Sequence, residues 1–136
     1  TITAAAGFVS PLGGLAIGVA GGSICFFATQ WIKAILKIDD SLDVSPVHGV
    51  GGVVGTLLVA PFSSIAWGGA GYSVQSDVWS QLAIQALGVL AAAGWCGIVT
   101  LTLLYVLQKT IGIRVAEEQE SEGLDLAEHG ERSYIN

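Results

Sequence analysis

Three long stretches of the chain consist almost entirely of apolar residues and carry no charge. The first runs from Leu12 to Ile32, over 21 residues, and the last from Val78 to Gln108, over 31 residues. Between them, Val44 to Ser76 is uncharged apart from His48, and its first part, Val44 to Phe62, is strongly apolar. A membrane-spanning helix needs about 20 mostly apolar residues. The pattern therefore predicts three membrane spans.

We expect an all-α, polytopic membrane protein in which spans and connections alternate. The predicted spans are 12–36, 42–62 and 80–107, and the predicted connections are 1–11, 37–41, 63–79 and the tail 108–136. A soluble domain built on three core helices is the alternative. It is disfavoured because helices of a soluble bundle each carry a polar face, and these stretches have none.

Composition and charge agree with a membrane-embedded body followed by a polar tail. Charged residues make up only 12% of the chain, against about 25% in ordinary globular proteins. Ten of them lie in the last 28 residues, so most of the net charge of −6 belongs to the tail. The chain has no basic patch, and we expect no nucleic-acid partner.

The basic residues indicate an orientation. They all lie at or beyond the ends of the first and third spans: Lys33, Lys37, Lys109, Arg114 and Arg132. The connections 1–11 and 63–79, on the other side, contain neither lysine nor arginine. Since basic residues favour the cytoplasmic side, we expect the 37–41 connection and the tail to be cytoplasmic.

Glycine spacing predicts how the spans pack. Gly14, Gly18 and Gly22 lie four residues apart in the first span, and Gly51 and Gly55 repeat the spacing in the second. Membrane helices associate through close backbone approach, which small residues permit. Each span carries small residues on more than one face, which indicates a bundle larger than three helices.

His48 is the candidate functional residue of the body. On a helix it shares one side with Val44, Gly51, Gly52 and Gly55. An imidazole at membrane depth is costly unless it faces protein or a cavity, and it marks a functional site by default. Three interpretations stay open: a structural histidine bonded to a neighbouring helix, a haem ligand, or a residue that lines a pore.

The start of the second span is left open by the sequence. Ser45 and Pro46 can act as N-cap and first helical residue, which places His48 near the helix end. Alternatively the helix starts near Asp40 or Ser41 and kinks at the proline, with His48 about eight residues inside.

The two cysteines do not indicate a metal site. Cys25 and Cys96 lie inside predicted spans, with no second ligand at metal spacing. We interpret them as small packing residues, and we expect neither a metal nor a cofactor.

Four segments resemble the ammonium transporter (Amt/Mep/Rh) family. The stretch "DDSLDVSPVHGVGG" is similar to the family's sequence near the tenth of its eleven helices, and "AAAGFVSPLGGLAIGVAGG" to the end of helix eight and helix nine. The segment "GIRVAEEQESEGLDLAEHGERSY" resembles the cytoplasmic carboxyl tail with its "GLD…HGE…Y" signature. The third span is similar to helix eleven in position and length.

The resemblance implies a fragment of an eleven-helix, inverted-repeat ammonium transporter bundle in the plasma (inner) membrane. The family's outer aromatic gate, its cation recruitment site and the first of its two pore histidines have no counterpart in this chain. The "SPVH" stretch also carries a proline where some relatives have glycine, which leaves the local helix geometry open.

The resemblance also implies a transport function rather than an enzyme. Ammonium loses its proton at an outer vestibule, and ammonia crosses a narrow apolar pore. His48 matches the second pore histidine, and Val44 matches a pore-lining position. Asp43 lies near the inner mouth, where holding the helix start is an equally open role.

The tail is the second functional candidate. As bare sequence it is a solvated charged end. By resemblance it packs on the cytoplasmic face of a homotrimer and helps a PII-type signalling protein to block the pore. An alternative is an ammonium sensor or regulatory subunit that acts through this tail. The residues expected to carry the role are Gly123, Leu124, Asp125, His129, Gly130, Glu131 and Tyr134.

Overall fold

The computed structural model describes residues 1–37, 40, 42–73 and 76–131, and the regular structure of these residues is helical throughout. The predicted all-α class is confirmed. Three helical segments among the described residues are long and apolar enough to cross a membrane: Pro11–Leu36, Ser45–Phe62 and Val78–Thr110. The chain divides within the third segment into two compact units, Thr1–Ala93 and Gly94–Asn136.

Helix α1 spans Pro11–Trp31. Its start is set by Ser10, which has an extended backbone and whose Oγ accepts a hydrogen bond from the N–H of Gly13 at 3.2 Å. A capping hydroxyl of this kind satisfies a helix donor that has no intrahelical acceptor. The helix continues as a π-helical stretch, Ile32–Leu36, and ends where Lys37 takes a left-handed φ of +51°.

The second helical segment begins with a π-helical stretch, Ser45–Val50, and continues as helix α2, Gly51–Phe62. Asp43, just before it, has a left-handed φ of +55°, which interrupts any helix running in from the loop. The sequence leaves two possible starts for this helix. The structure shows the start that places Pro46 in the first turn. The helical segment begins at Ser45, and His48 lies in its first turn.

Two carboxylates fix this helix start. Asp40 accepts hydrogen bonds from the backbone N–H groups of Ser45, at 2.7 Å, and Val44, at 2.9 Å. These bonds, that of Ser45 first, lower the pKa of the Asp40 carboxyl below its ordinary value. The Nζ of Lys33 lies 2.7 Å from Oδ1 of Asp43. The geometry of this contact is not that of a hydrogen bond, so it is a close charge pair. It connects the end of the first helical segment to the start of the second.

The amino-terminal segment, Thr1–Ala5, includes a 3-10 turn and packs against both α1 and α2. The buried residues at the contact lie mostly four apart: Gly13, Ile17 and Gly21 on α1, and Gly51, Gly55 and Val59 on α2. A Cβ on Gly55 would lie 2.0 Å from the carbonyl oxygen of Thr1, and a Cβ on Gly21 would lie 2.3 Å from its Cγ2. Only glycine allows the backbones to approach this closely.

The glycine stripe predicted for the first span is not the one that is covered. A Cβ on Gly18 or Gly22 would meet nothing within 4 Å, whereas Gly13, Ile17 and Gly21 are buried. The contact face is therefore rotated by one residue, or about 100°. Helix α3 buries none of its residues. Open small-residue and apolar faces are what a fragment of a larger helix bundle presents.

The connection after α2 folds back onto the ends of the first two helices. The N–H of Ala70 donates to the carbonyl of Phe8 at 2.9 Å, and that of Gly71 to the carbonyl of Ser63 at 2.7 Å. The hydroxyl of Tyr72 donates to a carbonyl in the last turn of α2. These bonds hold the connection against α2 and the residues that precede α1.

Helix α3, Val78–Thr110, starts with reciprocal hydrogen bonds. The N–H of Ser80 donates to Oδ1 of Asp77 at 2.8 Å, and the N–H of Asp77 donates to Oγ of Ser80 at 2.9 Å. The first of these bonds is the main cause that lowers the pKa of Asp77. In the second unit, two short helices, α4 at Glu117–Glu122 and α5 at Leu124–His129, pack against each other.

We expect Gly55→Ala to destabilise the protein, because the new methyl group would collide with the backbone of Thr1. Overpacking of a tight contact costs about 1–3 kcal/mol. Gly18→Ala is the matched control, since its methyl group meets open space. Thermal unfolding in detergent measures both variants, and equal stability of the two would contradict the close contact.

We expect Asp40→Ala to lower thermal stability at about pH 7, because two backbone donors lose their acceptor. The folded-state pKa of Asp40 lies below its ordinary value of 3.8. Its stabilisation is therefore complete above that value and is lost as the pH falls through the folded-state pKa. The difference in melting temperature between wild type and variant should shrink below about pH 4, and a constant difference down to about pH 3 would refute the capping role. Asp40→Asn, which keeps an acceptor oxygen, should lose less thermal stability than Asp40→Ala.

Candidate functional site

His48 lies in the π-helical stretch with an exposed side chain. Within the described part of the chain, its ring has no ion-pair partner. A pocket of about 420 Å³ opens beside it, which we call the His48 pocket. The residues that line this pocket are Thr1, Thr3, Ala4, Val47, His48, Gly52 and Thr56.

The two walls of the His48 pocket come from different parts of the chain. One wall is a stripe of the second helical segment, on which His48, Gly52 and Thr56 lie four residues apart. The opposite wall is the amino-terminal segment. That segment can lie this close to α2 only because Gly55 carries no side chain. The glycine contact therefore determines how far the opposite wall lies from the imidazole.

The side chains that line the His48 pocket are either apolar or uncharged hydrogen-bonding groups. Hydroxyls and one imidazole stand among alanine, valine and glycine, and no lining residue is a carboxylate, lysine or arginine. A neutral imidazole can donate and accept a hydrogen bond, and so can a hydroxyl. This arrangement suits a small neutral polar solute that must exchange hydrogen bonds with water for hydrogen bonds with the wall.

The other two residues expected near the pore lie outside the lining of this pocket. Val44 is 51% exposed and is the N-cap residue of the π-helical stretch, one turn before His48. Asp43 is turned toward Lys33 in the charge pair described above. The structure thus brings Asp43 to the helix start, while the pocket itself is formed further along the helix.

Most of the residues expected to act in the tail belong to the second unit. They lie within helix α5 or next to one of its ends: Gly123, Leu124, Asp125, His129, Gly130 and Glu131. Gly123 has a φ of +102°, and Gly130 ends α5 with a left-handed φ of +65°. The N–H of Glu131 then donates to the carbonyl of Asp125 at 3.1 Å, as in a glycine-closed helix end. Tyr134 lies outside the described residues.

Sequence reasoning missed three residues that shape the site. Asp40 caps the helix that carries His48, and the signal was an aspartate shortly before a Ser-Pro pair. Thr56 lines the pocket, and its spacing of eight residues from His48 was the available signal. Thr3 gave no such signal, because only the tertiary fold brings the amino-terminal segment to α2.

The cysteines and acidic residues do not gather into a metal site among the described residues. Cys25 instead packs on α2, where a Cβ on Gly51 would lie 3.0 Å from its Sγ. This is the contact of a small packing residue.

Comparison with known proteins gives concordant results. The model of the Ammonium Transporter Family matches residues 1–134. An ammonium transporter of Mycobacterium tuberculosis (strain ATCC 25618 / H37Rv) is 46% identical over 140 residues, covering 98% of this chain and 29% of that protein. An ammonium transporter of Bacillus subtilis (strain 168) is 35% identical over 138 residues, covering 98% and 33%.

A solved structure is similar as well. The chain superposes on a Sensor Amt Protein with a TM-score of 0.78 at 38% identity, covering 89% of this chain and 29% of that one. The chain thus spans about a third of the length of the relatives it matches. The resemblance drawn from the sequence is confirmed, and the match over residues 1–134 shows that this chain belongs to the Ammonium Transporter Family.

Proposed function

We propose that the chain forms one part of an ammonium transporter and that His48 lines its conducting pore. The observation that carries the proposal is the exposed imidazole beside the His48 pocket. It is supported by the names of relatives that match nearly the whole chain, which are ammonium transporters. The function is movement of a solute rather than a chemical conversion.

The physical basis is the cost of moving a charge into an apolar passage. An unpaired ion in a low-dielectric lumen pays a large desolvation penalty, whereas a neutral amine pays much less. Ammonium recruited at an outer vestibule loses its proton, and ammonia passes the His48 pocket as a neutral solute. Potassium cannot shed a proton, so the same barrier excludes it.

The imidazole gives the neutral solute a hydrogen-bonding partner along this passage. His48 accepts or donates one bond according to which ring nitrogen carries the proton. A second histidine from outside this chain pairs with it, and the pair relays the released proton separately, so that net transport is electrogenic. Val44 lines the inner part of the passage. Asp43 holds the helix start through its charge pair with Lys33.

We further propose a homotrimer in the plasma (inner) membrane, with the 37–41 connection and the tail on the cytoplasmic side. The distribution of lysine and arginine supports this orientation. A PII-type signalling protein then reaches the tail from the cytoplasm.

In the full-length transporter, we expect His48→Ala to reduce ammonium uptake by roughly tenfold or to change its selectivity for methylammonium. The reason is that one hydrogen-bonding partner, which contributes up to about 1.5 kcal/mol, is removed from the rate-limiting passage. Radiolabelled methylammonium uptake and ammonium-induced currents in a transporter-deficient cell measure the change.

The matched control is His129→Ala, which removes the other histidine of the chain at a position in the tail. It should leave the selectivity of the pore unchanged. Wild-type uptake and selectivity in His48→Ala, at equal membrane abundance, would refute a pore role for this residue.

A second candidate function is an ammonium sensor that acts through its tail. It is favoured by the similarity to a Sensor Amt Protein. It also agrees with the tail's two short helices, which order a polar segment outside the spans. The ion pair between Arg114 and Glu120, at 3.2 Å, is exposed and adds little to stability. A tail of such weak internal stability is suited to rearrangement on binding a partner.

Deletion of residues 117–136 from the full-length protein separates transport through the pore from regulation through the tail. We expect basal ammonium uptake within about twofold of wild type, because the His48 pocket contains no tail residue. Inhibition by a PII-type protein should be lost, since the acidic helices carry that contact. Uptake and pull-down assays measure both, and complete loss of uptake would mean that the tail is required for the pore itself.

A further inference from the structure

Thr56 shares the His48 pocket with the imidazole, two turns further along the same helix. Gly52 lies between the two residues, and a Cβ at that position would meet nothing within 4 Å. The wall between the imidazole and the hydroxyl is therefore free of side-chain bulk. A solute that leaves His48 along this stripe reaches the hydroxyl next.

The hydroxyl of Thr56 differs from those of Ser23, Thr102 and Thr110, which bond within their own helices. A serine or threonine in a helix usually donates to the carbonyl four residues earlier. Thr102 does so at 2.7 Å, Thr110 at 2.9 Å and Ser23 at 2.9 Å. No such bond is found for Thr56 within the described part of the chain, and its side chain instead borders the pocket. Its donor and its two lone pairs are thus available to a solute.

We infer that Thr56 is a specificity-determining residue. It gives the solute a second hydrogen-bonding station in the His48 pocket, that is, a second side chain to which the solute forms a hydrogen bond. The inference rests on the proposed function of the pocket and extends it by one residue. The hydroxyl accepts an N–H of the passing amine or donates to its lone pair, and no proton is transferred. Because it is neutral, it compensates for lost water without holding a charge in the pore.

A station of this kind distinguishes ammonia from its methylated analogue. Ammonia offers three N–H donors to the wall, and methylamine offers two together with an apolar group. Replacing the hydroxyl by a methyl group of the same shape penalises the more polar solute more strongly. The ratio of ammonium to methylammonium transport therefore reports on the hydroxyl, whereas a purely structural role would scale both rates together.

The test uses the full-length transporter and the variants Thr56→Val, Thr56→Ala and Thr56→Ser, each normalised to its amount in the membrane. Thr56→Val should lower ammonium transport about three- to tenfold and shift the ratio toward methylammonium. Thr56→Ser should retain wild-type behaviour because it keeps the hydroxyl. Thr102→Val is the matched control, since Thr102 bonds to its own helix. If Thr56→Val is poorly inserted, Thr56→Ala against Thr56→Ser decides the same question.

The outcomes separate this inference from the function on which it rests. A normal ratio in both Thr56→Val and Thr56→Ala, with transport impaired in His48→Ala, would overturn the inference and leave the pore proposal intact. Normal transport in His48→Ala as well would overturn both. A shifted ratio that Thr56→Ser restores supports the hydroxyl as the station.

Discussion

The approach of the Thr1 backbone to Gly55 is the contact on which the rest of the site depends. A side chain at Gly55 would occupy the position of the Thr1 carbonyl, and one at Gly21 would overlap the Thr1 side chain. In a membrane, apolar surface gives helices little reason to associate, so close backbone packing must hold them together. Here the same contact places the amino-terminal segment opposite His48. Packing and site geometry therefore have a common cause.

A second constraint sets the start of the helix that carries His48. Asp40 caps its first turn, and the charge pair between Lys33 and Asp43 joins that turn to the end of the preceding segment. The backbone reverses at Asp43 with a positive φ, so the helix cannot begin earlier. Pro46 fits the first turn because a proline there loses no intrahelical hydrogen bond. These local interactions fix the point at which the helix that carries the imidazole begins.

The π-helical stretches lie at the ends of the two segments that meet at this junction. One is Ile32–Leu36 and the other, Ser45–Val50, contains His48. Such wide turns are uncommon and are often found at functional sites. They change the direction of side chains relative to an α-helix, so the spacing rules used for sequence reading become less accurate just where the site begins. Val44, which shares a face with His48 on a regular helix, lies outside the pocket lining.

The sequence by itself determined the three apolar helices and the family and singled out His48 as the candidate functional residue, because runs of uncharged residues and a lone imidazole are local signals that need no partner. The tertiary structure alone decided which glycines make contact. Gly14, Gly18 and Gly22 have the same spacing as a packing stripe, yet Gly13, Ile17 and Gly21 are buried. It also brought Thr3 and Thr56 to one pocket. Both choices depend on how two helices and a distant segment rotate against each other, and no single stretch of sequence contains that information.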